Sequence, residues 1–321
     1  ISIGQTGYGG RPHAEHNAIS NCFEDPQDAK MYITLEPCNH YGKTPPCTKN
    51  IIKNQIREVY YPIEDFDLKV KGKSSLILEK SNIKVKKGLL RKEALNLYNS
   101  YYINRKKKLP YVIGKIALSK NKIIYSDKTK KITNKISDKL THYLRFKSDG
   151  IMISSKTLNI DNPKLNCRLE GFSQFSPKRI ILDRNLEINL KSYIAKSIKN
   201  ENTIIFHNSN DKSKIKFLNK KGTILIKQST DKYKNLNLKK ILKDLYKMEI
   251  RNLLVEGGDI LTKNFLQKKL FNEFYMFRSS KNLSKNKKHV NFTSFSILNT
   301  KYNKLKINSK LASDQLTIYK N

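Results

Sequence analysis

Two short stretches decide the fold: His13-Ala14-Glu15, and Thr34-Leu35-Glu36-Pro37-Cys38-Asn39-His40-Tyr41-Gly42-Lys43-Thr44-Pro45-Pro46-Cys47. The first opens a helix expected over residues 13–22, with Pro12 in its first turn, where a missing N–H costs nothing. The second leaves a run of β-formers at 29–35 that reads as a strand and enters a helix expected over 47–56. One imidazole and two thiolates suit zinc, and three protein ligands leave a fourth position for water. Zinc makes that water acidic enough to yield hydroxide near neutral pH. Attack on an aromatic C–NH2 carbon then needs a group that takes the water's proton and returns it to nitrogen. Glu15, two residues from His13 and not required as a ligand, fits that work. Singly, these residues read as a solvated glutamate and ordinary buried cysteines. Their ordered combination is a zinc-deaminase signature.

The spacing separates subclasses. Nucleic-acid deaminases place two residues between the paired cysteines, whereas eight separate Cys38 from Cys47. This spacer, with His40, Gly42, Thr44, Pro45 and Pro46, resembles the deaminase domain of the bifunctional riboflavin-biosynthesis deaminase/reductase family. So does the text from Gly10-Arg11-Pro12-His13-Ala14-Glu15 to Thr34-Leu35-Glu36-Pro37-Cys38. The resemblance implies zinc on His13, Cys38 and Cys47, with Glu15 as proton shuttle. The implied substrate is a diaminopyrimidinone carrying a ribosylamino 5′-phosphate. His40 and Lys43 read equally as polar loop or substrate contact. His16 is expected on the helix surface and Cys22 in its core.

Strands expected at 58–62 and 82–86 and a helix at 91–102 complete a first α/β layer. The lysine-rich run at 105–108, before Pro110, marks the boundary between a domain at 1–104 and another at 105–321. Beyond it, strands are expected at 111–118, 150–154, 179–183, 203–207, 252–255, 273–277 and 315–319. Helices are expected at 134–147, 239–248 and from 259 onward. A lysine-rich loop fills 281–288. Gly257-Gly258, at a strand-to-helix junction, reads as a tight turn or as a place where backbone approaches a cofactor phosphate. It is no G-x-G-x-x-G fingerprint.

Arg145, Ser154-Ser155-Lys156-Thr157-Leu158, Asp161-Asn162-Pro163-Lys164-Leu165 and Arg168 resemble the reductase domain of the same family. Arg179-Ile180-Ile181-Leu182-Asp183 and Val255-Glu256-Gly257-Gly258 resemble its later motifs. The implied architecture is a cytidine-deaminase-like three-layer domain followed by a dihydrofolate-reductase-like α/β domain that reduces ribosyl to ribityl with NADPH. By that resemblance Thr157, Asp161, Gly257 and Gly258 would touch NADPH, while Arg145, Leu165, Arg168 and Glu256 would hold the substrate. Two arginines can grip a phosphate. Three stretches depart from the family. The chain starts at Ile1, after the helix and strand with which the family's deaminase domain opens, so an incomplete wall is expected there. Thr129-Lys130-Lys131 replaces a Ser-x-Trp, with Lys131 left to assist an anionic cofactor. Arg278-Ser279-Ser280-Lys281-Asn282-Leu283 replaces Ala-Pro-Lys-Leu-Leu-Gly.

Composition adds little. Against 27 Asp+Glu stand 64 Lys+Arg, a net charge of +37 over 321 residues. The lysines are scattered among Ile and Asn, which share A/T-rich codons, so drift explains them better than a phosphate-tracking stripe. Four cysteines make no disulfide framework in so long a chain. No apolar run approaches the ~18 residues of a membrane span, so a cytoplasmic protein with reduced thiols is expected. Two other readings stay open: a tRNA-type deaminase with a basic RNA-binding C-terminal half, and a remnant that has lost its chemistry. Self-association is left open.

Overall fold

The computed structural model describes the chain except residues 43, 128, 130, 201, 232, 233, 286–288 and 306–309. Two units divide it, Ile1–Lys107 and Lys108–Asn321. In the first, α1 (Ala14–Ser20) precedes β1 (Lys30–Tyr32), and α2 (Cys47–Lys53) precedes β2 (Glu58–Tyr61). Next come α3 (Lys73–Glu79) and β3 (Lys84–Lys87), then α4 (Arg91–Leu97), α5 (Asn99–Tyr102) and a π-helical turn at Ile103–Lys107. The three strands pair in parallel in the order β1-β2-β3, with Lys30 opposite Glu58 and Glu58 opposite Lys84. Period-two alternation sets the faces. Val59 and Tyr61 point inward against Ile51 of α2 and Leu78 of α3, and Ile19 of α1 joins them. On the alternate positions Tyr32 stacks on Tyr60, ring centres 4.6 Å apart.

The second unit begins with β4 (Tyr111–Leu118) and β5 (Ile123–Ser126), then α6 (Lys135–Phe146), β6 (Gly150–Ser154) and α7 (Ser155–Asp161). It continues through β7 (Lys178–Leu182), α8 (Tyr193–Lys196), β8 (Thr203–His207), α9 (Lys212–Lys220) and β9 (Ile224–Lys227). After α10 (Leu238–Lys247), β10 (Asn252–Val255) and α11 (Asp259–Gln267) come β11 (Glu273–Arg278), β12 (His289–Asn291) and α12 (Phe295–Lys301). Three last strands are β13 (Asn303–Leu305), β14 (Lys310–Leu311) and β15 (Asp314–Lys320). Among the described residues ten strands form one sheet, ordered β13-β15-β11-β4-β10-β6-β7-β8-β9, with β14 on β15. From β11 to β9 every pairing is parallel; β15 runs antiparallel to β11. A sheet covered on both faces needs strands that are apolar throughout. Accordingly Met152, Ile180 and Ile204 enter one core with Ile241 and Leu245 of α10, while Ile151, Ile153, Ile181 and Ile205 enter the core on the other face.

Several element ends differ from the sequence expectation. Pro12 lies before the N-cap, His13, rather than inside the helix, and α1 ends at Ser20. The expected helix at 91–102 is broken at Tyr98 (φ −91°, ψ 12°), whose hydroxyl is hydrogen-bonded to Thr34 Oγ1 at 2.6 Å. Ser155–Asp161, read only as a motif, is a helix capped by Ser154 Oγ, which accepts the Thr157 N–H. No helix among the described residues is long and apolar enough to cross a membrane.

Gly114 in β4 leaves no room for a side chain. A Cβ there would stand 2.4 Å from Phe274 Cδ2 and 2.7 Å from Phe271 Cε1. Gly114→Ala is expected to cost about 1–3 kcal/mol of stability through overpacking. Urea unfolding of the second unit checks this, and an unchanged midpoint would show that the rings yield freely.

Candidate active sites

Three backbone ends bring the candidate zinc ligands together. His13 caps α1, Cys47 is the first residue of α2 behind Pro46, and Cys38 lies in the loop after β1. His13 Nδ1 stands 3.2 Å from Cys47 Sγ and 3.4 Å from Cys38 Sγ, and all three donor atoms fall within 4.8 Å of one another. A zinc tetrahedron with bonds near 2.0 Å to nitrogen and 2.3 Å to sulfur has N···S edges of about 3.6 Å. The donor set and its spread therefore fit that ion. The Cys47 N–H points at Cys38 Sγ at 3.3 Å. The Cys47 thiol hydrogen bond, assisted by His13 and opposed by burial, pulls the Cys38 thiol down to about 4. Cys47, whose proton is the one shared, is pushed up by the same bond and by burial.

Glu15 sits half-buried in the first turn of α1. Burial raises its carboxyl above the ordinary range, with Cys38 adding to the rise and His13 opposing it. A carboxyl so placed accepts and releases a proton more readily near neutral pH. His16 and His40 are exposed, and Cys22 is half-buried beyond the end of α1 rather than in its core. Lys43 lies outside the described residues.

The second cluster lies at the carboxyl ends of β4, β6 and β10. Lys115, Thr157, Asp161, Glu256, Gly257 and Gly258 line one cleft. Glu256 is bound bidentately by Arg145, Nε to Oε1 at 2.7 Å and Nη2 to Oε2 at 2.9 Å. Burial works against the Glu256 charge, but Arg145 and Lys115 hold its carboxyl down to about 2. Burial in turn lowers Lys115, with Glu256 opposing. Neither Gly257 nor Gly258 has positive φ, so the pair is no left-handed turn. What a side chain would meet is contact: a Cβ on Gly257 would stand 3.0 Å from Leu261 Cβ, and one on Gly258 would stand 3.6 Å from Thr157 Oγ1.

The residues expected to grip the substrate are placed as follows. Arg145 is 9% exposed and its third nitrogen, Nη1, donates to the Asn166 carbonyl at 3.1 Å, so its guanidinium serves Glu256 and the 166 loop before any phosphate. Leu165 is buried in the core, at φ +52°. Arg168 is exposed, its backbone N–H donated to His142 Nδ1 at 3.2 Å and its Nη1 to Asn166 Oδ1 at 2.9 Å. Lys131 is paired with Asp138 of α6, and Lys130 lies outside the described residues. Two residues escaped the sequence reading. Lys115 interrupts an apolar strand, a signal lost among so many lysines, and Glu36 gave no signal beyond its place in Leu35-Glu36-Pro37-Cys38.

Residues 111–311 match the family model described as the RibD C-terminal domain. Residues 2–63 match the cytidine and deoxycytidylate deaminase zinc-binding region. The chain is 32% identical over 283 residues to the riboflavin biosynthesis protein RibD of Aquifex aeolicus, covering 88% of this chain and 77% of that protein. A solved structure of Acinetobacter baumannii RibD superposes with a TM-score of 0.80 at 26% identity, over 97% of this chain and 85% of that one. The Thermotoga maritima diaminohydroxyphosphoribosylaminopyrimidine deaminase/5-amino-6-(5-phosphoribosylamino)uracil reductase gives 0.83 at 28% identity, over 100% and 88%.

Removing Arg145 would leave a half-buried carboxylate without its ion-pair partner. Arg145→Met is expected to cost about 3–5 kcal/mol, whereas Arg168→Met, at an exposed position, stays within about 0.5 kcal/mol. Urea unfolding of both variants separates the two cases. Because folding lowers the Glu256 pKa from 4.5 to about 2, the stability it contributes is complete above pH 4.5 and drains as pH falls toward 2. Arg145→Met should flatten that part of the stability profile.

Proposed function

The chain belongs to the RibD family of riboflavin-biosynthesis proteins, and from that premise we propose that it deaminates a diaminopyrimidinone bearing a ribosylamino 5′-phosphate and then reduces the ribosyl group to ribityl with NADPH. Its architecture is the one expected from the sequence, a cytidine-deaminase-like domain followed by a dihydrofolate-reductase-like domain. The observation that carries the first half is the convergence of His13, Cys38 and Cys47 within 4.8 Å, beside Glu15.

His13, Cys38 and Cys47 would hold the zinc, which when bound would supply a water acidic enough to attack near neutral pH. Glu15 would take a proton from the attacking water and pass it to the amino nitrogen, so that the new C–O bond replaces the C–N bond and ammonia leaves. The second cleft would hold NADPH, which would supply the hydride. Gly257 and Gly258 keep the start of α11 open, where backbone N–H groups meet a cofactor phosphate. Thr157 and Asp161 line the same side. Glu256, kept ionised by Arg145, accepts hydrogen bonds from the sugar hydroxyls. Lys115, whose burial makes its proton easier to give up, protonates the ring oxygen as the ribosyl ring opens. Arg168, exposed, meets the substrate phosphate.

The test uses the diaminopyrimidinone substrate with wild type and Glu15→Gln, following ammonia release and NADPH oxidation separately. Loss of a general acid–base group should slow ammonia release by about 10²–10⁴-fold. NADPH oxidation on the already deaminated substrate should stay within about twofold of wild type. A zinc chelator should stop the first reaction and spare the second. Ammonia release at the wild-type rate in Glu15→Gln would remove the proton-shuttle role.

A further inference from the structure

Glu36 takes no part in the proposed reaction, yet it is 3% exposed and no cation pairs with it among the described residues. Three backbone N–H groups satisfy it. Those of Asp65 and Gly72 donate to Oε2 at 3.0 and 2.9 Å, and that of Ser74 donates to Oε1 at 3.0 Å. Gly72 is the N-cap of α3, at φ +75°, and that helix has no side-chain cap of its own. The first N–H groups of a helix lack intrahelical partners. Glu36 therefore supplies the missing acceptor from a different loop. Its neighbours repeat the tie: Ser74 Oγ donates to the Pro37 carbonyl at 2.6 Å, and Asn39 Nδ2 donates to the Val70 carbonyl and to Ser74 Oγ, both at 3.0 Å. The anchoring loop is braced in turn by the Tyr101 hydroxyl on Asp65 Oδ1 at 3.0 Å.

We infer that Glu36 is a positioning residue for the metal: by binding the start of α3 it holds Pro37 and Cys38 where Cys38 Sγ can meet His13 and Cys47. The inference rests on the reading of those three residues as zinc ligands. Ligand-supporting hydrogen bonds beyond the metal's own shell commonly govern affinity by about 10–100-fold. Glutamine at position 36 keeps the shape and one acceptor oxygen. Its NH2 group faces the N–H donors that the other oxygen served, and the Cys38 loop must shift.

The experiment follows zinc release from the full chain to a chromophoric chelator, and the thiolate-to-cobalt charge-transfer band after cobalt replaces zinc. Glu36→Gln should release zinc about 10–100 times faster and weaken or shift the cobalt band, while the exposed control Glu79→Gln stays within about twofold of wild type. Should Glu36→Gln not fold, Ser74→Ala removes only the side-chain ties to Pro37 and Asn39 and should still speed release several-fold. Zinc release at the wild-type rate in the folded variant overturns the inference. So does an unchanged cobalt band together with a lower unfolding midpoint of the metal-free chain, which marks a purely structural role. A wild-type chain that takes up no zinc strikes down the ligand assignment itself, and the inference with it.

Discussion

Parallel pairing is the constraint from which both sites follow. Strands that run in one direction must be joined by crossovers, so each unit gathers its strand ends, loop turns and helix starts along one edge of its sheet. In the first unit β1 runs out into the Cys38 loop and α2 begins at Cys47. In the second, β6 ends at Ser154, which caps the helix carrying Thr157, and β10 ends at Val255, which delivers Glu256 and the two glycines. Chemistry collects where backbone groups are left without ladder partners and side chains from separate crossovers can meet.

Each unit also settles a carboxylate withdrawn from solvent, by different means. Glu256 is answered by a guanidinium, with Lys115 nearby, and remains a charge facing a cleft. Glu36 is answered by backbone N–H groups and is buried. The first arrangement leaves a fixed negative group for a ligand; the second turns a charge into an anchor. In a chain with 64 basic and 27 acidic side chains, these two acids organise the sites, while the lysine excess lies mostly on exposed positions.

What the sequence made legible depended on how local the determining contacts are. Tyr111–Leu118, Gly150–Ser154, Thr203–His207 and Asn252–Val255 are short, largely apolar runs rich in β-branched or bulky residues, the pattern of buried strands in a covered sheet. The clustering of His13, Cys38 and Cys47 was legible because a metal-binding motif restricts residue type and order. The pairing of Arg145 with Glu256 was not legible because the two lie 111 residues apart. Glu36 is satisfied by N–H groups 29, 36 and 38 residues further on, and backbone donors leave no trace in residue identity. Ile123–Ser126 and His289–Asn291, which pair across a long separation, are too short to show a period.

The most direct measurement is X-ray absorption at the zinc edge of the purified chain. A centre on His13, Cys38 and Cys47 with one water requires two sulfur neighbours at about 2.3 Å and two lighter neighbours at about 2.0 Å. A spectrum with four sulfur neighbours, with none, or with no zinc at all would contradict it.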